Sequence, residues 1–199
     1  MRLKRNGLGK YRLRRSARRC TILNSMINFI QSTEELPQKE ETIKLFLKDD
    51  GVFPNNELIP LVLLRKAVAI EGGRSATERA FAHILVDNGW QPQWKDSLYP
   101  YHHYHASTHE AIGVLSGSAT VQFGGPSGPE LKIQAGNAIM IPAGVAHCLK
   151  ASSQDFQVIG AYPPGFSPDM CFGEPGERPA TDKKIKKLCA CSLPSFLLK

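Results

Sequence analysis

From Thr42 onward the chain breaks into short apolar runs separated by turn residues. The series opens with "TIKLFLKDDGVFPNNELIPLVLLRKAV", where Asp50-Gly51 and Pro54-Asn55-Asn56 supply turn chemistry between strand-like segments. One helical period is legible. Ser75 followed by Glu78 predicts a capping box, Phe81, Ile84 and Leu85 an apolar face, and Asn88-Gly89 a C-terminal stop. After Gly89 the period changes to that of strands. "EAIGVLSG", "SATVQFGG", "PELKIQAG", "NAIMIPAG", "VAHCLKAS" and "DFQVIGAYPPG" follow at roughly 8 to 12 residues, each closed by Gly, Pro or Ser. The pattern predicts an all-β sandwich or barrel preceded by one short helix. The chain end, "TDKKIKKLCACSLPSFLLK", has basic and apolar halves and fits an amphipathic helix lying on the barrel or on a partner.

At 199 residues the chain suits one domain plus tails, large enough for a core without disulfides. Its five cysteines, Cys20, Cys148, Cys171, Cys189 and Cys191, form no CxxC pair, which points to free thiols in a reducing compartment. The longest apolar run, "LIPLVLL", stops at Arg65, well short of the roughly 18 residues of a membrane span. The net charge of +7 is local. Residues 1–19 hold nine Lys or Arg and no acid, leaving sixteen basic against eighteen acidic groups elsewhere, a net of −2. This arm is read as sequence ahead of an initiator at Met26 or as a disordered tail, with an organelle presequence and a nucleic-acid arm as alternatives. The near-neutral remainder argues against nucleic acid as the main partner. The expected organisation is therefore a basic extension over 1–41, one domain over 42–181 and a tail over 182–199.

Four of the six histidines, His102, His103, His105 and His109, fall within eight positions. Such internal clusters serve metal ligation or proton transfer. In His103-x-His105 both imidazoles of an extended chain face one side, while His102 and Tyr104 face the other. Glu110 lies an odd number of positions past His105, so "ASTH" must break the strand with a bend for Glu110 to join them. Farther on, Pro142-Ala143-Gly144 is a tight turn, and His147 enters the next strand after it. His109 is expected behind the site or on the surface, His83 on the surface of the helix, and Trp90, Trp94, Phe123, Tyr162 and Phe166 in core or rim packing.

These two segments resemble the cupin superfamily. "HYHASTHEAIGVLSG" reads as His-x-His, four residues, Glu, six residues, Gly; "GNAIMIPAGVAH" reads as Gly, five residues, Pro-x-Gly, two residues, His. One departure is Ala151, where the family pattern often has Asn. The resemblance implies a double-stranded β-helix, or jelly-roll barrel, with His103, His105, Glu110 and His147 as metal ligands, and it requires the ring of His147 to lie within about 6 Å of those of His103 and His105. Three imidazoles and a carboxylate favour Fe, Mn, Ni, Co or Zn over Ca or Mg. The implied function is a metal-dependent dioxygenase, isomerase or lyase acting on a small molecule. The alternative is a non-catalytic ligand- or metal-binding cupin, since fold does not entail activity. The expected setting is cytoplasmic, with organelle targeting left open, as a homodimer pairing through sheet faces or through "TIKLFLK".

Overall fold

The structure, a computed structural model, describes residues 41–191. Residues 1–40 of the basic extension and residues 192–199 of the C-terminal tail lie outside the described residues. Among the described residues nine strands and two helices run in the order β1 (Thr42–Leu47), β2 (Asn56–Leu64), α1 (Arg74–Asp87), β3 (Gln91–Asp96), β4 (Glu110–Ser116), β5 (Ser118–Phe123), β6 (Glu130–Gln134), β7 (Ala138–Ile141), β8 (His147–Ser152), β9 (Gln157–Tyr162) and α2 (Ala180–Cys191). Every strand pairing is antiparallel, and the strands form a six-stranded sheet, β1-β2-β7-β4-β9-β3, and a three-stranded sheet, β6-β5-β8. This is the jelly roll expected from the two motifs, and all six segments read as strands after Gly89 are strands.

Alternation along β4 divides the interior in two. Ile112 and Val114 face the barrel, where they pack with Val121, Phe123, Ile133 and Ile139. Ala111 and Leu115 face outward and meet Phe81 and Leu85 of α1, which covers the opposite face of the large sheet. Glu110 shares the barrel phase of Ile112 and Val114, so the same alternation that builds the core aims its carboxylate inward.

Two expectations need correction. The capping box at Ser75 and Glu78 does not form: α1 is preceded by Gly73, at φ 77°, with no side-chain cap, and Glu78 instead pairs with Lys95 Nζ at 2.7 Å. The register of β3 beside α1 offers Glu78 a cation that outcompetes its own helix terminus. One strand is additional to the predicted segments: "QPQWKD" forms β3, which accommodates Pro92 by lying at the edge of its sheet with a register shift beside it. The amphipathic helix expected at the chain end is α2, and of the two placements left open it lies on the barrel: Ile185, Leu188 and Cys189 fall on one face and pack against Phe53, Tyr104 and Ala146. No helix among the described residues is long and apolar enough to cross a membrane.

Candidate metal centre

Two non-adjacent segments are joined by backbone. His103 N–H donates to the carbonyl of His147 at 3.2 Å, and His147 N–H returns a bond to the carbonyl of His103 at 2.9 Å, an isolated antiparallel bridge. Gly144 N–H, in the Pro-Ala-Gly turn, donates to the carbonyl of His105 at 2.9 Å. Gly144 sits at φ +92°, and a Cβ there would press on the Asn55 carbonyl at 2.5 Å, so glycine is what lets this turn close. The predicted break in "ASTH" is a bend at Ala106 and Ser107. Its N–H groups donate to Asp169 Oδ1 at 2.7 and 2.9 Å, and the chain re-enters a strand at Glu110.

These constraints bring four donors together. The ring of His103 lies 4.1 Å from that of His147 and 5.5 Å from that of His105, and those of His105 and His147 are 5.7 Å apart, inside the required limit. One ring nitrogen of each lies within 4.8 Å of the others. Glu110 Oε2 stands 3.5 Å from His147 Nε2 and 3.7 Å from His105 Nε2. Two ligands bonded to one ion at about 2.1 Å are themselves about 3.0–3.4 Å apart at octahedral to tetrahedral angles. The observed gaps are slightly wider than that and longer than good hydrogen bonds. All four side chains are buried, none more than 6% exposed.

Each imidazole is oriented from behind. Nδ1 of His103, His105 and His147 meets the carbonyls of Tyr101, Asp169 and Val145 at 3.2, 2.6 and 3.2 Å. A carbonyl only accepts, so each Nδ1 carries the proton and donates, leaving Nε2 for the centre. His109 is the opposite case. Its Nδ1 accepts from Ala143 N–H at 3.0 Å, so the proton sits on Nε2, which is buried without a partner. His109 is thus neither a member of the group nor on the surface: it braces the turn that delivers His147. His102 turns away beside Phe53, 5.7 Å between rings, Tyr104 is buried on that same side, and His83 is exposed on α1.

Electrostatics favour a cation at the centre. Burial by itself would raise the pKa of Glu110, but the neighbouring imidazoles of His105 and His147 and the hydrogen bond from the Tyr162 hydroxyl hold it down to about 2. Burial lowers His103, and it drives His147 to about 3 with help from the neighbouring imidazole charge. Burial acts on His105 too, yet the nearby carboxylate of Glu110, together with the hydrogen bond to the Asp169 carbonyl, reverses it and its pKa is raised. A buried ionised carboxylate therefore draws positive charge onto its Nε2 side. A divalent transition ion fits the same donor set, three imidazole nitrogens and one carboxylate oxygen.

The other oxygen of Glu110 is held by a residue placed only in packing by sequence reasoning. Tyr162 Oη donates to Glu110 Oε1 at 2.6 Å and accepts from Trp94 Nε1 at 3.0 Å. Tyr162 and Trp94 line a cavity of about 420 Å³ with Leu98, Tyr99 and Met170, and the four donors form part of its wall. Trp90 and Phe123 are core residues, as expected, and Phe166 is 43% exposed.

A family profile described as "Cupin domain" matches residues 91–159, a span holding all four donors but neither Tyr162 nor Asp169. An uncharacterised protein of Bacillus subtilis (strain 168), YjlB, is 42% identical over 149 residues, 75% of this chain and 86% of its own length. Among solved structures, RmlC from Streptococcus suis in complex with dTDP-D-xylose is 12% identical over 67% of this chain and 74% of its own, with a TM-score of 0.37. Acireductone dioxygenase from Bacillus anthracis, with a cadmium ion in its active centre, is 13% identical over 65% and 82%, with a TM-score of 0.35. At those scores neither neighbour's chemistry transfers to this chain.

Proposed function

The chain belongs to the cupin family, and from that premise we propose that it is a metal-dependent enzyme acting on a small organic molecule. His103, His105, Glu110 and His147 hold one divalent ion of the Fe, Mn, Ni, Co or Zn group. The observation that carries this reading is the tautomer pattern: three Nδ1 atoms are tied to carbonyls, and the Nε2 atoms of His105 and His147 lie near one free carboxylate oxygen at the wall of a cavity. Such an ion supplies Lewis-acid polarisation of a substrate oxygen or, where redox-active, oxygen chemistry.

The protein's own part is to orient and to exclude water. Tyr162 fixes one oxygen of Glu110 so that the other faces the imidazoles. Because the polar tips of Trp94 and Tyr162 are turned to each other and to Glu110, these rings offer apolar surface to a ligand, joined by Leu98, Pro168 and Met170. The site suits a small molecule with an oxygen-donor head and an apolar body.

A second reading, a non-catalytic binding cupin, is favoured by one observation. Every imidazole and buried carboxylate in the cavity wall is among the four proposed ligands, and Lys95 at the rim is paired with Glu78. Oxygen uptake by the Fe(II)-loaded full chain over catechols, thiols and 2-keto acids, and product formation by the Mn-, Ni- and Zn-loaded forms, separate the two. Turnover that disappears in His103→Ala supports the enzyme; ligand binding without turnover for every metal supports the second reading.

A further inference from the structure

We infer that Asp169, outside the segment that carries the four donors, is a positioning residue for the metal centre. The inference rests on the metal-binding reading above. Asp169 works through both its backbone and its side chain. Its carbonyl accepts from His105 Nδ1 at 2.6 Å, the shortest of the three bonds behind the imidazoles, and so sets both the tautomer and the heading of that ring. Its carboxylate holds the bend that follows. Oδ1 accepts from Ala106 N–H at 2.7 Å, Ser107 N–H at 2.9 Å and Ser107 Oγ at 3.0 Å, and Oδ2 accepts from Lys184 Nζ of α2 at 2.9 Å.

The side-chain bonds hold the backbone that makes the carbonyl bond. A carbonyl cannot be removed by substitution, but it points at His105 only while residues 167–169 are pinned to the bend. The Ser107 hydroxyl, within reach of both the Ser167 carbonyl at 2.9 Å and Asp169, adds to that pin. The same bend sets the spacing from His105 to Glu110, two of the four donors. Loss of the carboxylate therefore loosens His105 and its angle to Glu110 together, without removing any ligand. Lys184 is 54% exposed, and its pairing contributes little beside three bonds to one oxygen.

The test is Co(II) titration of the full-length protein, read by isothermal calorimetry and by the visible absorption band of the bound ion, with thermal melting of the metal-free form alongside. Asp169→Ala is expected to weaken Co(II) binding by about 10- to 100-fold, the range for the partner of a ligand, and to change the band. Asp169→Asn keeps an oxygen acceptor for the bend and is expected to stay within about threefold of wild type, as is Lys184→Ala. Asp169→Glu keeps the charge but displaces it by one methylene. It is expected to weaken binding and alter the band, and it carries the test if the alanine variant fails to fold. Wild-type affinity and band in Asp169→Ala or Asp169→Glu would overturn the inference. So would an Asp169→Ala effect confined to melting, or an Asp169→Asn loss as large as that of alanine. Failure of the wild-type protein itself to bind Co(II) would instead remove the metal-binding reading underneath.

Discussion

His103 and His147 exchange backbone hydrogen bonds across an isolated bridge, and their rings stand 4.1 Å apart. The bridge makes the two segments one unit, so the heading of one imidazole is set by the chain that carries the other. His103→Ala leaves the backbone bonds in place and removes only a donor. Its effect should exceed the 10- to 100-fold typical of losing a partner behind a ligand, so metal affinity should fall by more than about 100-fold in calorimetric titration. A loss below about tenfold would show that His103 is not a ligand.

Tyr162→Phe removes one bond to an ionised carboxylate and leaves Trp94 Nε1 without its acceptor. Loss of a hydrogen bond to a charged group costs about 1.5–3 kcal/mol. The variant should melt lower and bind metal about tenfold more weakly. An unchanged affinity would confine Tyr162 to packing.

The metal-free protein should lose stability in acid, and the sign follows from the buried groups. Burial lowers His109 from 6.5 to about 4. Between those values the unfolded chain binds a proton that the folded chain does not, so stability is full above pH 6.5 and declines toward pH 4, by up to about 3 kcal/mol. His147, lowered to about 3, acts in the same direction. So does Glu110, between its ordinary 4.5 and about 2. His105, whose pKa is raised, acts oppositely: its share is full below 6.5 and disappears as pH rises through its folded value. The melting temperature of the metal-free form should fall from pH 7 to pH 4, and less steeply in His109→Asn, which keeps an acceptor for Ala143 N–H. A flat profile would contradict this.

Gly160 faces Trp94 across the β3–β9 pair, and a Cβ built there overlaps the indole. Gly160→Ala must displace Trp94 from Tyr162 Oη. Overpacking of this kind costs about 1–3 kcal/mol. A lower melting temperature with a modestly weaker metal affinity is expected. Wild-type values for both would show that the indole moves aside without consequence.

Local spacing made part of the group legible, since His-x-His sets one face and Glu110 demands a bend, while the joining of His147 to them followed from the resemblance of the two motifs to cupins. Tyr162 was not legible, because its role depends on register. Pairing of Ala111 with Ala161 places Tyr162 opposite Glu110, and no periodicity in either strand reveals that match. Asp169 was hidden for a similar reason: it lies in an irregular segment whose partners are backbone N–H groups distant in sequence. β3 was masked by Pro92, acceptable only at a sheet edge, and the capping box failed because Glu78 found Lys95 across the packing of α1 on β3. The signals that read correctly are those carried by neighbours along the chain.

The most direct test is an anomalous difference map from crystals of the untagged protein grown with Mn(II), Co(II) or Zn(II). One peak should lie about 2.0–2.2 Å from Nε2 of His103, His105 and His147 and from Oε2 of Glu110. A map with no peak there, or one whose peak is held by other residues, would contradict the account.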